Sequence, residues 1–419
     1  MRLPTGLPLI GSVLSVLLFL TSCVDSFDQT LRGTVNVVVV DGTITNLAEP
    51  QIIRLNRSKA DPATGRFGTT PITKATVDVV VDSAEMIVCH ETVDGNYQLP
   101  NDFRGKEGHA YQLRFTLADG TQYSSNQQVM PAVVPIARLY QRFNPTSLPA
   151  QRPDGIPSLI RGASEFYIDW QDPVSERNYY RWEWKLWERQ EWCHTCAQGF
   201  YFRWQSYDES LPREECERVD AYAISQLGIR YFVNDYQCRT RCWEVIYGYA
   251  VNLFDDALTN GSPQMGRRVA QIPCYQYAGC LVEVRQSALT GSAHRYFKQV
   301  QEQGQNTGGL ADTPPAAPIG NVRNSMNSRE AVVGYFTASS VSAIRYWLDR
   351  KDATGKPPGL FQALNNLEPS PEGVRDPNTG ELKHGLSIGG NSKNAHRPPT
   401  AVCELSDSRT PVKPDGWRD

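Results

Sequence analysis

Short segments in which apolar and polar residues alternate constrain this chain more than any other feature of its sequence. The clearest is segment 178–187, where every second residue is large and apolar: Tyr180, Trp182, Trp184 and Leu186. A period of two is typical of a β-strand with one buried face. Asp-Gly pairs such as Asp94-Gly95 and Asp119-Gly120 are turn signals that join neighbouring strands. The pattern therefore predicts antiparallel β-structure.

The predicted strands recur at the regular spacing of sandwich domains. We expect a mainly β protein with two antiparallel β-sandwich domains, similar to immunoglobulin or fibronectin modules, one short helix and an irregular C-terminal tail. Tyr296, Phe297 and Val300 lie at helical spacing and place the helix near 292–303. The predicted divisions are a signal peptide at 1–22, a lipidated tether at 23–32, an N-terminal sandwich at 33–130, a linker at 131–163, a second sandwich region at 164–350 and a tail at 351–419.

The amino terminus carries an export signal. An apolar run from Leu7 to Leu20, typical of a secretory signal peptide, ends in Leu20-Thr21-Ser22-Cys23. This ending resembles the bacterial lipobox, in which an aliphatic and two small residues precede the cysteine that receives a diacylglycerol. Two or three acyl chains hold a protein on a membrane, because each buried methylene contributes about 0.8 kcal/mol. We expect Cys23 to be the lipid anchor; the alternative is an ordinary signal peptide followed by an unrelated cysteine.

The charge balance argues against one class of partner. The chain has 419 residues, with 42 basic and 45 acidic side chains and a net charge of −3. Nucleic-acid-binding proteins usually show a basic excess, so we expect no nucleic-acid partner. Beyond residue 22 no apolar run approaches the ~20 residues that span a bilayer, which excludes a polytopic membrane protein.

Ten cysteines indicate disulfides, because an exported protein meets an oxidising compartment. Apart from Cys23, only Cys89 lies in the first domain, and we expect it to be a free, buried thiol. A zinc site or a redox-active pair at Cys193-His194-Thr195-Cys196 is the alternative for the others. The disulfide candidates are Cys193, Cys196, Cys216, Cys238, Cys242, Cys274, Cys280 and Cys403.

Motifs of known enzymes are missing from the sequence. It contains no H-E-x-x-H, no G-x-S-x-G, no P-loop and no dinucleotide-binding fingerprint. The adjacent acids Asp255-Asp256 are interpreted as solvated loop charge. We expect no enzymatic activity, no metal and no cofactor, although two carboxylates brought together by folding remain a possible hydrolase site.

Aromatic density is the one positive sign of a ligand. Six of the nine tryptophans lie between Phe166 and Tyr207. Trp187 is out of phase with its strand, and Trp192 and Trp204 lie near cysteines. These three are the candidates for surface contacts with a glycan, a peptide or a protein. The alternative is that they belong to the sandwich core and its rim.

Several segments together resemble one known family. They are 40–45, 75–79, 95–97, 108–113 and 119–125, and most specifically Pro315-Ala316-Ala317-Pro318-Ile319-Gly320-Asn321-Val322 and Ala331-Val332-Val333-Gly334-Tyr335-Phe336-Thr337-Ala338-Ser339. With the lipobox, these segments resemble Bacteroidota outer-membrane lipoproteins of unknown function, often encoded beside TonB-dependent receptors. The first domain is also similar to the carboxypeptidase-regulatory-like sandwich. The resemblance implies an envelope location and a transport partner, and it supplies no catalytic residues.

These observations lead to three functional hypotheses. The first is a lipid-anchored outer-membrane protein that captures ligand or assists a TonB-dependent transporter. The second is a surface adhesin that binds glycan or protein through the aromatic region. The third, less favoured, is a hydrolase.

Overall fold

The computed structural model of the chain describes residues 37–61, 66–152, 155–174, 177–204, 213–218, 232–305, 318–371, 374–375, 382–383, 395–396 and 398–419. These ranges contain 29 strands, numbered along the chain, and two helices, α1 (Gly291–Gln305) and α2 (Leu360–Asn365). The predicted mainly β class and the short helix near 292–303 are confirmed. The predicted signal peptide, the tether and Cys23 lie outside the described residues.

The first sandwich consists of two six-stranded sheets. One contains β1 (Val38–Thr45), β2 (Ile52–Asp61), β3 (Arg66–Pro71), β6 (His90–Val93), β7 (Asn96–Gln98) and β23 (Val332–Ser339). The other contains β4 (Thr76–Val81), β5 (Glu85–Val88), β8 (Ala110–Thr116), β9 (Gln122–Ser125), β10 (Gln128–Val129) and β22 (Val322–Asn324). The strand orders are β23-β1-β2-β7-β6, with β3 beside β2, and β22-β9-β8-β4-β5, with β10 beside β8. Alternate residues of β8, Tyr111, Leu113 and Phe115, are buried, as a period of two requires.

Strand β23 closes the first sandwich, although most strands of the second sandwich lie between it and β1 along the chain. It pairs with β1 in parallel, from Val38 opposite Val332 onward. Strand β22 also returns to the first sandwich, where it pairs antiparallel with β9 of the opposite sheet. The structure therefore differs from the predicted boundaries, which place both strands in the region 164–350. Pairing between segments so distant in the chain leaves no local sequence pattern.

The second sandwich packs a three-stranded sheet against a six-stranded one. The smaller sheet contains β11 (Arg138–Asn144), β12 (Ala163–Gln171) and β20 (Pro263–Pro273), in the order β11-β12-β20. The larger contains β13 (Tyr179–Arg189), β18 (Trp243–Tyr247), β19 (Asn252–Asp255), β21 (Cys280–Ala288), β24 (Val341–Leu348) and β29 (Arg409–Thr410). Its order is β24-β21-β13-β18-β29, with β19 beside β13. Strand β11 lies inside the segment predicted to be a linker.

The core of the second sandwich uses the face of β13 that the alternation predicts. Tyr180, Trp182 and Leu186 are buried, and Trp184 packs against the same core from a partly exposed position. The Trp170 ring of β12 meets the Tyr180 and Trp182 rings edge-on, with centroids 5.5 and 5.4 Å away. Such aromatic pairs stabilise a core beyond the area they bury.

Small sheets surround the end of β13 and include much of the C-terminal region. They contain β14 (Trp192–Ala197) with β17 (Val233–Cys238) and β28 (Thr400–Ala401), β15 (Gly199–Trp204) with β16 (Arg213–Arg218) and β27 (Ala395–His396), and β25 (Val374–Arg375) with β26 (Leu382–Lys383). The predicted irregular tail thus adds β28 and β29 to sheets built by earlier strands. Trp417 also packs on the rings of Trp243 and Trp347.

Three disulfides hold these small sheets together. They join Cys193 to Cys238, Cys196 to Cys216, and Cys242 to Cys403. The zinc and redox-pair alternatives do not apply to these sulfurs, since Cys193 and Cys196 are each bonded to a different partner.

Two cysteines predicted to form disulfides do not. Cys274 and Cys280 are free and buried, as is Cys89. Cys280 begins β21 and belongs to the core of the second sandwich, and Cys274 follows β20, so neither lies in the small sheets. Burial raises the pKa of each thiol, which disfavours the reactive thiolate.

An ion network joins the two sandwiches. Glu49, between β1 and β2, accepts hydrogen bonds from both terminal nitrogens of Arg285, each at 2.6 Å. Arg285 and Arg345 also donate to the buried Glu283, at 2.7 and 2.8 Å. Bidentate pairs of this kind fix orientation as well as distance. The second sandwich is therefore held in one position against the first.

A fully buried ion pair lies inside the second sandwich. Arg350 bonds Glu188 through both terminal nitrogens, and the two side chains are 1% and 0% exposed. Arg350 also donates to the carbonyl oxygens of Gln276 and Ala278, both at 2.9 Å. Removing one member of such a pair leaves the other charge without compensation.

We expect Arg350→Met to lower the free energy of unfolding by about 3–5 kcal/mol, because it strands the Glu188 carboxylate. The matched control is Lys351→Met, whose side chain is 85% exposed and bonded only to a neighbouring acid. This control should change stability by less than about 0.5 kcal/mol. Urea unfolding followed by tryptophan fluorescence measures both; equal effects would contradict the expectation.

Candidate functional site

A cleft of about 500 Å³ lies between helix α1 and the edge of the first sandwich. Strands β9, β22 and β23 form one wall and the exposed face of the helix forms the other. The lining residues are Ser124, Ser125, Asn126, Ser292, Arg295, Tyr296, Gln299, Ile319, Gly320, Asn321, Arg323 and Tyr335.

A chain of hydrogen bonds holds the helix against the sandwich. The Thr290 hydroxyl accepts from the Ala293 N–H at 3.2 Å, as at a helix N-terminus, and donates to Gln128 Oε1 at 2.9 Å. Gln128 Nε2 then donates to Asn126 Oδ1 at 2.8 Å. The start of the helix is thereby tied to the wall of the cleft.

Asn321 connects the loop before β22 to two neighbouring strands. Its Oδ1 accepts from the Phe336 N–H at 2.9 Å and its Nδ2 donates to the Phe336 carbonyl at 2.7 Å. Its backbone carbonyl accepts from the Asn126 N–H at 3.0 Å. The floor of the cleft is therefore already organised before any ligand arrives.

Aromatic rings form the deepest part of the cleft. Tyr335 and Tyr296 lie with centroids 4.8 Å apart, and Phe297 packs beside them. Tyr335 is 8% exposed, and burial raises the pKa of its hydroxyl. Ser292 and Gln128 lie beside that hydroxyl, but neither forms a hydrogen bond of acceptable geometry with it. The hydroxyl oxygen is itself buried and, among the described residues, has no hydrogen-bond partner.

The charge of the cleft is positive. Arg295 and Arg323 are exposed and, among the described residues, neither forms an ion pair. The lining residues that the structure describes include no acidic side chain to offset them. Guanidinium groups bind carboxylates and phosphates with paired hydrogen bonds. The arrangement is suited to binding an anion, with serine, asparagine and glutamine side chains available for neutral polar groups.

Gly334 allows the wall of the cleft to form. Its φ is +97°, and a Cβ atom there would lie 1.8 Å from the Val40 carbonyl oxygen of β1. This irregularity directly precedes Tyr335 and sets the direction of its side chain. The segment containing Gly320 and Asn321 packs on the same glycine.

The predicted ligand tryptophans do not form one surface. Trp187, expected at the surface, is 8% exposed and packs between the side chains of Lys185 and Arg345, so that prediction is wrong. Trp192 is partly exposed and contacts Phe361, and Trp204 is partly exposed beside Phe202. The three lie on β13, β14 and β15, which belong to three different sheets.

Sequence reasoning missed Arg295, Arg323 and Tyr335 as site residues. One signal for them was present, because the two segments most specific for the family resemblance contain Gly320-Asn321 and Gly334-Tyr335. The structure brings these segments together at the cleft, with Ile319 bridged to Val333.

We expect Gly334→Ala to destabilise the protein by roughly 3 kcal/mol, through strain and a backbone clash. Gly355→Ala is the matched control, since Gly355 has φ +98° but nothing within 4 Å of its would-be Cβ. The Gly355→Ala control should lower the free energy of unfolding by about 1 kcal/mol, which comes from the backbone strain alone. Thermal unfolding compares them; a Gly334→Ala variant no less stable than the control would show that the close approach to Val40 does not matter.

Comparison with known proteins gives a family for this fold and cleft. No helix in the described ranges is both long and apolar enough to cross a membrane. No curated protein is significantly similar to the chain. The profile of a family described as "Domain of unknown function (DUF4249)" matches residues 24–345, which include every residue lining the cleft. The chain therefore belongs to this uncharacterised family.

Proposed function

We propose that this protein is a lipid-anchored binding protein of the outer membrane, which captures a small organic anion and delivers it to a TonB-dependent transporter. The observation that carries the proposal is the preorganised cleft with Arg295 and Arg323, which form no ion pair with any described residue. Its volume falls in the range of about 300–1,000 Å³ that is usual for small-molecule sites.

The chemistry of the lining supports binding rather than catalysis. It combines two guanidinium groups with amide and hydroxyl side chains and the neighbouring, mutually tilted Tyr296 and Tyr335 rings. Among the described lining residues there is no carboxylate, histidine or thiol to move a proton or attack a substrate. The ligand that fits this set has a carboxylate or phosphate, further hydroxyl groups and a small apolar face, as an acidic sugar or a short peptide does.

The sequence supports the membrane location and the transporter. Cys23 closes a lipobox-like segment, and the lipoproteins that the chain resembles are often encoded beside TonB-dependent receptors. An acyl anchor confines the protein to the plane of the membrane, which raises its effective concentration near a partner in the same membrane. Even a weak interface then suffices for transfer of ligand.

A glycan-binding adhesin remains the second candidate, because Trp192 and Trp204 are both partly exposed. Exposed tryptophans stack on sugar rings and anchor protein interfaces. The burial of Trp187 removes one of the three side chains on which that hypothesis rested.

We expect Arg295→Ala and Arg323→Ala each to weaken anion binding roughly ten- to hundredfold, because each removes a charged hydrogen-bond donor. A panel of acidic sugars, short peptides and phosphate esters, measured by calorimetry, identifies the ligand first. The matched control is Arg329→Ala, an exposed arginine outside the lining, which should bind as the wild type does. Binding of neutral glycans that depends on Trp192, with both arginine variants unaffected, would favour the adhesin instead.

We expect Cys23→Ser to release the protein from the membrane fraction and to abolish its co-purification with a transporter in mild detergent. Loss of the acyl chains removes the membrane affinity on which the partnership depends. Ala288→Ser, a substitution far from the amino terminus, serves as the fractionation control. A Cys23→Ser protein that stays with membranes, or a wild type that purifies alone, would contradict the proposal.

A further inference from the structure

Among the three disulfides of the described chain, the bond between Cys196 and Cys216 is the most open to solvent. Cys216, on β16, is exposed, whereas Cys196, on β14, is 1% exposed. The cysteines of the other two bonds are buried or half-buried: Cys193, Cys238, Cys242 and Cys403. The rate of thiol–disulfide exchange depends on access to the sulfur that is attacked. Cys216 is therefore the position that a thiolate from solution reaches most easily.

A histidine side chain lies beside the exposed sulfur. His194 Nδ1 is 3.9 Å from Cys216 Sγ, within hydrogen-bond range for sulfur. The disulfide itself supports this contact, because Cys196 follows His194 by two residues on β14 and holds β16 against that strand. The Thr195 carbonyl oxygen is also 3.9 Å from Cys216 Sγ. Of these two neighbours, only the imidazole takes up and releases a proton near neutral pH.

A carboxylate and an aromatic ring hold the imidazole in place. Glu404 Oε2 lies 3.1 Å from His194 Nε2, and the Tyr201 ring packs against the imidazole with centroids 4.8 Å apart. A proton on Nε2 directed at Glu404 leaves the lone pair of Nδ1 facing Cys216 Sγ. Burial lowers the pKa of His194, so the ring is neutral at pH 7 and able to accept a proton. A sulfur, a base and an acid that orients the base form the arrangement that activates cysteine nucleophiles.

The position of the bond allows it to open without unfolding the region. It links β14, which pairs with β17 and β28, to β16, which belongs to the sheet of β15 and β27. The bond between Cys193 and Cys238 lies within the first of these sheets, and the bond between Cys242 and Cys403 holds the C-terminal segment. Both remain when the link between the two small sheets is broken.

We propose that the Cys196–Cys216 disulfide is a site of thiol–disulfide exchange that oxidises a dithiol, such as a pair of reduced cysteines in a partner protein. The redox pair is then Cys196 with Cys216, not the Cys193-His194-Thr195-Cys196 motif of the sequence. This activity is separate from anion binding, because the site shares no residue with the cleft.

The exchange proceeds in two displacements. A thiolate of the substrate attacks Cys216 Sγ, the Cys196–Cys216 bond breaks, and its electron pair goes to Cys196. The second substrate thiolate then attacks the substrate sulfur bonded to Cys216 and expels the Cys216 thiolate. The substrate loses two electrons and two protons, and Cys196 and Cys216 become thiols. His194 Nδ1 accepts the proton of the thiol that attacks Cys216 and returns it to Cys216 at the end.

Mild reduction of the folded, full-length protein tests the site. Samples treated with dithiothreitol are quenched with a maleimide at intervals, and peptide mass spectrometry identifies the labelled cysteines. We expect the Cys196–Cys216 bond to open at least about tenfold faster than either of the other two, because access to the attacked sulfur sets the rate. A synthetic peptide with two reduced cysteines should be oxidised in place of dithiothreitol, and glutathione disulfide should then restore the bond.

A histidine variant tests the base. His194→Gln retains all three disulfides and should slow the opening of the Cys196–Cys216 bond by about tenfold or more, because it removes the proton acceptor. His109→Gln is the matched control, since His109 also pairs with a carboxylate, Asp82 at 2.6 Å, but lies in the first sandwich. The control should react as the wild type does. Equal Tm values for both variants would show that the slower reaction does not come from a damaged fold.

Three disulfides that open at the same rate would overturn the proposal, as would a folded wild type that leaves the dithiol peptide reduced. A His194→Gln protein that reacts as fast as the wild type would remove the base from the site. If His194→Gln fails to fold, Glu404→Ala decides, because its side chain is 71% exposed and its loss leaves the core intact. Wild-type reactivity in Glu404→Ala would contradict the assigned histidine–glutamate pair. None of these outcomes bears on anion binding at the cleft.

Discussion

The parallel pairing of β1 with β23 is the constraint on which the rest of the structure depends. It places most of the second sandwich between two parts of the first, since the chain leaves after β10, returns through β22 and β23, and then adds β24 and β29 to the second sandwich. The chain therefore crosses between the two sandwiches three times. This arrangement brings helix α1, the last element before β22, onto the edge of the first sandwich. The cleft lies where helix α1 meets β22 and β23.

Hydrogen bonds tie the junction between the two sandwiches together. Glu49 and Arg285 connect the two sandwiches, and the Thr290–Gln128–Asn126 hydrogen bonds connect the helix to the first. A ligand entering the cleft meets side chains that are already positioned, so little conformational entropy is lost on binding. This arrangement is suited to a protein that holds a ligand and passes it on unchanged.

The sequence predicts local structure well and long-range assembly poorly. The alternation around Trp182 correctly indicates a strand and its buried face, because that pattern is set by the pleat of a single strand. The membership of β23 in the first sandwich depends on a partner far away in the chain, which no local pattern records. The same limit explains Asp256, which is interpreted from the sequence as solvated but is 0% exposed, because its burial depends on Asn178 arriving from another loop. Export to an oxidising compartment favours disulfides in general, but it does not indicate which cysteines form them. Cys274 and Cys280 stay free because the fold does not pair them.

The late position of β22 and β23 in the chain also sets the order in which the strands are made during biosynthesis. The register that pairs Val38 with Val332 means that β1 leaves the ribosome roughly 15–60 seconds before its partner, at about 5–20 residues per second. Through that interval the edges of β1 and β9 have no neighbour, and unpaired edges attract other chains. The core of the second sandwich includes Leu348 of β24, which is made only after β23, so neither sandwich is complete until the chain has passed residue 348. The first half of the chain therefore keeps two unpaired strand edges until β22 and β23 have been made.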